Sequence, residues 1–206
     1  MSLENKNNRR IIDLTFEIYE GMQTFPCHWH PMVEISQLGR HGIENRETRK
    51  LVLGTHSGTH MDAPAHFIPN GISIEKIPLD QLVGPASVID LSDVGPFQAI
   101  SAKTLEERLN GRELERVILR YDWSDHFGTR SYYTDHPYLM DEAAQWLVDK
   151  GCKLIALDAP MPDNPINGSN SENDSPIHKI VLDAGTVLVE YLTNLRELRQ
   201  PTVELV

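Results

Sequence analysis

Four side chains that can bind a metal ion fall within eleven consecutive positions: His56, His60, Asp62 and His66. Neutral imidazole and carboxylate groups are the usual protein ligands of Zn²⁺ and of related transition metals. Gly54 and Gly58 lie in the same segment, and glycine lets the backbone approach closely where side chains must converge. A histidine-rich surface loop is the alternative interpretation. Four ligand-type residues at this spacing favour a metal site.

The local backbone of this segment is best predicted as a loop or a single tight turn. His56 and His60 are four residues apart, so one helical turn would place both on the same face. The glycines and Pro64 argue against a long helix, and Pro64 stiffens the path from Asp62 to His66 because its φ is fixed. Asp62 adds a carboxylate that can bind one metal or bridge two.

A second acidic residue stands out in the C-terminal half. Glu190 lies in the strand-like run Thr186–Leu192, with apolar neighbours on both faces. A buried ionised carboxylate is costly unless it is paired or bound to a cation. Glu190 therefore binds a metal, faces water from an edge strand, or pairs with Arg or Lys. His178, on a predicted short helix before this run, can reach the same centre, although a lone helix histidine is more often structural.

The segment His56–His66 reads HSGTHMDAPAH and resembles the HxGTHxDxPxH signature of the cyclase-like metal hydrolases. This family includes bacterial kynurenine formamidase and isatin hydrolase. Further likenesses are spread over most of the chain: Asp13-Leu14-Thr15, Arg120-Tyr121-Asp122-Trp123, Lys150-Gly151 before the strand that ends at Asp158, and the pair His178 and Glu190.

The resemblance implies a set of zinc ligands. His56, His60 and Asp62 would bind the first ion, and Asp62 would bridge to the second. A later histidine and a glutamate twelve positions beyond it complete the family's set, and His178 and Glu190 keep that spacing. The cofactor implied is Zn²⁺, two ions per subunit, with Mn²⁺ as the alternative.

The resemblance also assigns roles around the metals. His66 matches the family's catalytic acid/base. Phe25 takes the place of an aromatic residue that contacts the substrate, although the Gly-Asp pair that follows it in formamidases is missing here. Near Asp158 the family often has a serine-containing turn, and this chain has Met161 in a Pro-rich turn instead. Both departures touch the substrate pocket rather than the metal ligands.

Strand and helix signals are mixed along the chain. The strand-like runs are Ile11–Phe16, Val33–Leu38, Arg46–Leu53, Ala86–Leu91, Arg116–Tyr121, Lys153–Leu157 and Thr186–Leu192. This pattern predicts an α/β or α+β fold with a mixed sheet. The resemblance specifies a swivelling β/β/α domain that covers residues 1–206, with an N-terminal arm, assembled as a homodimer or homotetramer.

Three helices are predicted. Thr104 and Glu107 form a capping box around Leu105–Leu109, and Asp141 can cap a helix over Glu142–Lys150. The third runs over Pro176–Asp183, with Pro at its first position. The stretch 159–174 before it is rich in Asn and Pro, and its length indicates a lid or binding loop.

Composition excludes several function classes. A net charge of −11 with no basic stripe argues against nucleic-acid binding and against docking on anionic membranes. No run of about 18 apolar residues is present to span a membrane. Two distant cysteines give no disulfide framework, and no signal peptide is visible, so we expect a cytoplasmic protein.

The implied activity is hydrolysis of an aryl formamide or amide. A kynurenine formamidase-like reaction, N-formylkynurenine to kynurenine and formate in tryptophan catabolism, is the leading hypothesis. The alternatives are an isatin hydrolase-like reaction on a cyclic amide or ester, a true cyclase, and a metal-binding protein without catalysis. Phe25, Trp29 and Trp123 either pack on an aromatic substrate or belong to the core, and His28 and His30 either form a second metal pair or line the pocket.

Overall fold

The computed structural model describes residues 2–4, 10–168 and 171–206. The strands are β1 (Ser2–Glu4), β2 (Arg10–Ile12), β3 (Glu34–Gly39), β4 (Thr48–Val52), β5 (His60–Asp62), β6 (Gly84–Asp90), β7 (Ala99–Ile100), β8 (Arg116–Arg120), β9 (Tyr138–Leu139), β10 (Leu154–Leu157), β11 (Val187–Glu190) and β12 (Thr202–Leu205). The α-helices are α1 (Leu79–Leu82), α2 (Ala102–Leu109), α3 (Ser131–Thr134), α4 (Asp141–Asp149) and α5 (Pro176–Asp183).

A six-stranded mixed sheet forms the centre of the protein. Its strand order is β12-β6-β8-β10-β11-β5. The four inner strands are parallel, and the edge strands β12 and β5 run antiparallel to their neighbours. Inner strands of such a sheet are covered on both faces, which is why β8 and β10 read as nearly continuous apolar runs. The predictions of a mixed α/β fold and a mixed sheet are confirmed.

The two faces of the sheet belong to different parts of the core. Because side chains alternate along a strand, Val117 and Leu119 of β8 point to one face and Ile118 to the other. The first face packs against the helical side of the protein, where Leu105 of α2 and Val181 of α5 are fully buried. No helix in residues 2–4, 10–168 and 171–206 is long and apolar enough to cross a membrane.

The structure corrects two helix starts. Ser101, not Thr104, is the N-cap of α2, and its hydroxyl accepts a hydrogen bond from the Thr104 amide. Asp141 is the first residue of α4 rather than its cap, and Met140 is the N-cap. In both cases the Ser, Thr or Asp signal lies within one turn of the true start, so the helix is found but its first turn is misplaced. Helix α5 has the predicted bounds.

The N-terminal third contributes less to the core than the sequence indicates. Within the described residues, the run Ile11–Phe16 is in a strand only as far as Ile12, and β2 pairs with β1 and no other strand. The hairpin of β3 and β4 also forms a separate two-stranded sheet. Residues 1 and 5–9 of the predicted N-terminal arm lie outside the described residues.

Candidate metal centre and its pocket

An antiparallel pairing between two distant parts of the chain creates the site. Strand β5 pairs with β11 so that His60 stands opposite Glu190 and Asp62 opposite Leu188. The loop before β5 turns at Gly58, whose φ is +62°, a conformation that side chains other than glycine rarely adopt. This turn lets His56 approach His60, and the short 3₁₀-helix Pro64–His66 follows the strand.

Three donor atoms form a tight triangle. His56 Nδ1 lies 3.0 Å from His60 Nε2 and 2.9 Å from Asp62 Oδ1, and His60 Nε2 lies 3.4 Å from the same oxygen. Tetrahedral ligands with zinc bond lengths near 2.0–2.1 Å are separated by roughly 3.3 Å. The triangle therefore has the size that one bound divalent cation requires.

A second group of donors adjoins the first. Asp62 Oδ2 lies 3.5 Å from His178 Nε2, whereas Oδ1 faces His56 and His60. Glu190 Oε1 lies 3.2 Å from His178 Nε2, and Glu190 Oε2 lies 3.7 Å from His60 Nε2. Because each carboxylate presents its two oxygens to different imidazoles, Asp62 and Glu190 join the two groups of donor atoms into one cluster.

The buried carboxylate oxygens have unmet bonding needs. Asp62 is 1 % exposed and Glu190 is 4 % exposed. Both oxygens of Asp62 and Oε1 of Glu190 are buried and accept no hydrogen bond within the described part of the chain. Burying such atoms without partners is costly, and a bound cation removes that cost. The donor set consequently fits a divalent metal.

Two of the imidazoles are held with one nitrogen turned to the centre. Nδ1 of His60 lies 2.8 Å from the carbonyl oxygen of Gly58, and Nδ1 of His178 lies 2.5 Å from Asp163 Oδ2. With the Nδ1–H of each ring donating to these oxygens, Nε2 is the nitrogen that faces the cluster. Metal-binding histidines are commonly oriented by such outer hydrogen bonds.

Asp163 is the residue of this site that the sequence analysis missed. Its carboxylate is fully buried and also accepts hydrogen bonds from the backbone amides of Ile177, at 2.6 Å, and His178, at 3.4 Å. It therefore caps the start of α5, where the N-cap residue Ser175 supplies no side-chain hydrogen bond. One carboxylate thus fixes both the helix and the ring of its histidine.

The electrostatics of the two central carboxylates differ. Burial would raise the pKa of Asp62, but the surrounding imidazoles of His178, His56 and His60 outweigh burial and hold that pKa well below its usual value. For Glu190 burial prevails, and its pKa is raised despite the nearby His178. Asp62 is consequently the permanent negative charge at the centre of the cluster.

His66 stands beside the cluster. Its Nε2 lies 3.7 Å from Asp62 Oδ2, and its ring lies against that of His56 with centroids 3.9 Å apart. About a third of the side chain is exposed, so His66 borders open space. Burial and, more weakly, the other histidines lower the pKa of His66 to about 4. The sequence did not indicate this lowering of the His66 pKa. With that pKa, the ring is neutral at pH 7.

Comparison with known proteins places the chain in a family. The sequence model described as "Putative cyclase" matches residues 12–164. The kynurenine formamidase of Bacillus mycoides (strain KBAB4) is 36% identical over 153 residues, which is 74% of this chain and 69% of that protein. The chain belongs to the cyclase family. The family membership that the motif HSGTHMDAPAH indicates is therefore confirmed.

Other members of the cyclase family show how far the likeness extends. The kynurenine formamidase of Bacillus thuringiensis subsp. konkukian (strain 97-27) is 36% identical over 115 residues, 55% of this chain. That alignment spans about half the length of the relative, 52%. The chain thus spans about half the length of several of the relatives it matches.

Solved structures of the family support the fold. Isatin hydrolase A from Labrenzia aggregata has a TM-score of 0.80 at 23% identity, covering 93% of this chain and 83% of its own. A protein described as a predicted metal-dependent hydrolase from Bacillus stearothermophilus has a TM-score of 0.70 at 26% identity, covering 93% and 85%. The cyclase-type α/β fold is accordingly confirmed.

A cavity of about 200 Å³ opens beside the donor cluster of this cyclase-family chain. Its lining includes His56, His60, His178 and Glu190 of the cluster and the apolar side chains of Phe25, Trp29, Phe67 and Met161. An apolar cavity of ~150 Å³ can hold benzene, so this one has room for a ring with small substituents. Phe25 lies where a substrate-contacting residue must lie; its contact with substrate stays a prediction.

The remaining aromatic and histidine candidates divide into core residues and residues near the cavity. Trp123 is in the core, 4 % exposed, and its indole N–H donates to the carbonyl of Tyr132. His30 lines the cavity, with its ring centroid 5.6 Å from that of His56. His28 packs edge-on against Trp29. In the described residues neither His28 nor His30 belongs to a converging group of ligand atoms, which favours the pocket-lining interpretation for His30.

Proposed function

We propose that this cyclase-family protein is a metal-dependent hydrolase that cleaves the C–N bond of an aryl formamide, with N-formylkynurenine as the leading substrate. His56, His60, Asp62, His178 and Glu190 would hold Zn²⁺, and Mn²⁺ is the alternative ion. The named relatives support the reaction class. The single observation that carries the proposal is that both oxygens of Asp62 and Oε1 of Glu190 are buried, converge with imidazole nitrogens, and accept no hydrogen bond from the residues that the structure describes.

The chemistry divides between the cation and the protein. A divalent cation, when bound, lowers the pKa of water and polarises a carbonyl group. Asp62 and Glu190 contribute negative charge that attracts the cation, and the outer hydrogen bonds of His60 and His178 keep their Nε2 atoms aimed at it. Phe25 and Met161 exclude water from one side of the cavity and orient an aromatic ring.

His66 would move the proton. Its lowered pKa keeps the ring neutral at pH 7, so a ring nitrogen has a lone pair for the proton of the attacking water, although the same low pKa makes the ring a weak base. The water oxygen bonds to the formyl carbon, the C–N bond breaks, and the imidazolium of His66 returns the proton to the departing aryl nitrogen. The products are an arylamine and formate. A low pKa makes the imidazolium a strong acid, which suits the second transfer.

The test compares metal-free and metal-loaded protein. Chelator-treated protein is reconstituted with Zn²⁺ or Mn²⁺, its metal content is measured, and it is assayed on N-formylkynurenine and on isatin in H₂¹⁸O. We expect metal-dependent release of formate carrying one ¹⁸O, with N-formylkynurenine preferred. Fully loaded protein that cleaves neither compound would leave a metal-binding protein without this activity, and conversion without ¹⁸O uptake would indicate a cyclase.

We also propose that the active form is a homo-oligomer. The hairpin of β3 and β4 leaves Leu38, Leu51 and Leu53 exposed, and Met32 beside it is 65 % exposed. Several large apolar side chains exposed in one short region favour an interface there. Light scattering after size exclusion should give a multiple of 23.4 kDa, and a monomer at micromolar concentration would contradict the assembly.

A further inference from the structure

One acidic side chain at the cavity has no part in the proposed reaction. Asp174 ends the loop before α5 and lines the cavity together with Ser175. The Ser175 hydroxyl donates to Asp174 Oδ1 at 2.8 Å. The neighbouring Lys179 donates to the main-chain carbonyl of Asp174. Within the described residues, no Lys or Arg nitrogen lies within 4.0 Å of the Asp174 carboxylate. The carboxylate is therefore available to a ligand in the cavity.

The fold keeps Asp174 close to the metal centre. Ser175 has a φ of +48° and turns the chain directly into α5, whose first turn carries His178. Asp174 and His178 both line the same cavity of about 200 Å³. One small molecule in the cavity can consequently contact Asp174 with one end and the metal ligands with the other.

The charge at the end of the cavity formed by Asp174 favours one kind of substituent. Among the described residues that line it, the formally charged groups are Asp174 and Glu190, and Lys and Arg are absent. An ammonium group that enters would gain a charge-assisted hydrogen bond to Asp174. At the Asp174 end of the cavity, a carboxylate would meet like charge and no Lys or Arg among the described lining residues.

We infer that Asp174 is a specificity residue that binds an ammonium group of the substrate, so that the site selects aryl formamides with a cationic side chain. The inference rests on the proposed function, since it concerns the substrate of the same cavity. It assigns the ring to the apolar wall around Phe25, the formamide to the metal side, and the ammonium to Asp174.

Three synthetic substrates test the inference. All are 2-formamidophenyl ketones, and their ketone substituents are methyl (neutral), 2-aminoethyl (cationic) and 2-carboxyethyl (anionic). For the zinc-loaded wild-type protein we expect kcat/KM for the cation to exceed that for the neutral ketone about tenfold, with the anion lowest. Asp174→Asn should lower kcat/KM for the cation about tenfold more than for the neutral compound, and Asp174→Glu should retain part of the preference.

A matched control separates local from global charge. Glu172 is exposed in the same loop and does not line the cavity, so Glu172→Gln removes the same charge and should leave the cation preference unchanged. Equal losses for all three substrates in Asp174→Asn, or an unaltered preference, would overturn the assignment. If Glu172→Gln reduced the cation preference as much as Asp174→Asn does, the effect would come from net charge, and the assignment of Asp174 would be overturned.

Binding measurements distinguish this inference from the proposed activity. Calorimetry with the deformylated amine products needs no hydrolysis. We expect the aminoethyl ketone to bind wild-type protein about tenfold more tightly than the methyl ketone, and this ratio to approach one in Asp174→Asn. If no substrate is cleaved but the binding ratio behaves as stated, the proposed function fails and the role of Asp174 stands. If the substrates are cleaved but the two ketones bind equally well, the proposed function stands and the role of Asp174 is refuted.

Discussion

Replacing Asp163 tests how strongly the protein controls its own metal ligands. The carboxylate contacts Nδ1 of His178 at 2.5 Å and the Ile177 amide at 2.6 Å, in a place with no exposure to solvent. Asp163→Asn keeps an oxygen that can cap α5, because Asn and Asp are comparable caps. It removes the charge that holds the His178 proton on Nδ1. The substitution therefore separates ring orientation from helix capping.

The magnitude follows from these contacts. Loss of an outer-shell partner commonly lowers metal affinity by about 10–100-fold, or roughly 1.4–2.7 kcal/mol. This range agrees with the ~1.5–3 kcal/mol of a hydrogen bond to a charged group. Asp163→Ala also loses the cap of α5, which should cost the metal-free protein about 1 kcal/mol more of unfolding free energy than Asp163→Asn.

Two assays read these effects separately. Competition with a zinc chelator gives the metal affinity, and urea unfolding in excess chelator gives the stability of the metal-free protein. Zinc affinity of Asp163→Asn within twofold of wild type would refute the idea that Asp163 orients His178. Equal unfolding free energies for the Asn and Ala variants would refute its role as the cap of α5.

Three further predictions concern catalysis, pH and the loop. His66→Ala should lower aryl-formamide turnover by about 10²–10⁴-fold at unchanged metal content, measured by elemental analysis beside the kinetics; an unchanged rate would remove His66 from the mechanism. Burial raises the pKa of Asp158 from 3.8 to about 7, so the folded state holds this proton more tightly and wild-type stability should fall as pH rises from about 4 to 7. Asp158→Asn should lose this decline, which amounts to roughly 2.7 kcal/mol between pH 5 and pH 8, in urea titrations at those two pH values, whereas parallel profiles would contradict it. Gly58→Ala strains a φ of +62° and places the new Cβ 2.6 Å from Ile18. It should therefore destabilise the protein by more than Gly21→Ala, where φ is +75° and nothing lies within 4 Å of the added Cβ. Chemical denaturation compares the two variants, and equal losses of unfolding free energy would show that the contact with Ile18 is harmless.

The part of the site that is local in sequence could be predicted from residue types. His56, His60, Asp62 and His66 lie within one segment, and their chemistry together with the glycines is enough to indicate convergence. Glu190 was also accessible, since an acid between apolar residues in a strand must find a partner. The structure brings all of these groups together.

Asp163 could not be predicted because its role depends on contacts across space. It lies in an Asn- and Pro-rich loop fifteen positions before His178, where spacing carries no periodic signal. Only the fold of this loop brings its carboxylate under the first turn of α5. The same holds for Asp174, whose importance depends on the cavity rather than on any motif. An acidic residue in the loop before a helix that carries a candidate ligand in its first turn is therefore worth examining as a cap and as a partner of that ligand.

The edges of elements were predicted less well for a related reason. Ser101 and Thr104 are both good caps, and the pattern of apolar residues cannot rank two caps one turn apart. The run Ile11–Phe16 has strand composition, yet only Arg10–Ile12 finds a partner strand, β1. Pairing partners decide where a strand ends, and they are not written in the run itself.

Anomalous diffraction from crystals of the zinc-loaded protein, recorded at the zinc absorption edge, tests the central claim most directly. That claim is that donors from β5 and its preceding loop join donors from α5 and β11 around a cation. The expected result is a peak within bonding distance of His60 and Asp62, with a second peak shared by Asp62, His178 and Glu190. Zinc bound at full occupancy elsewhere, with no peak between these side chains, would contradict the account.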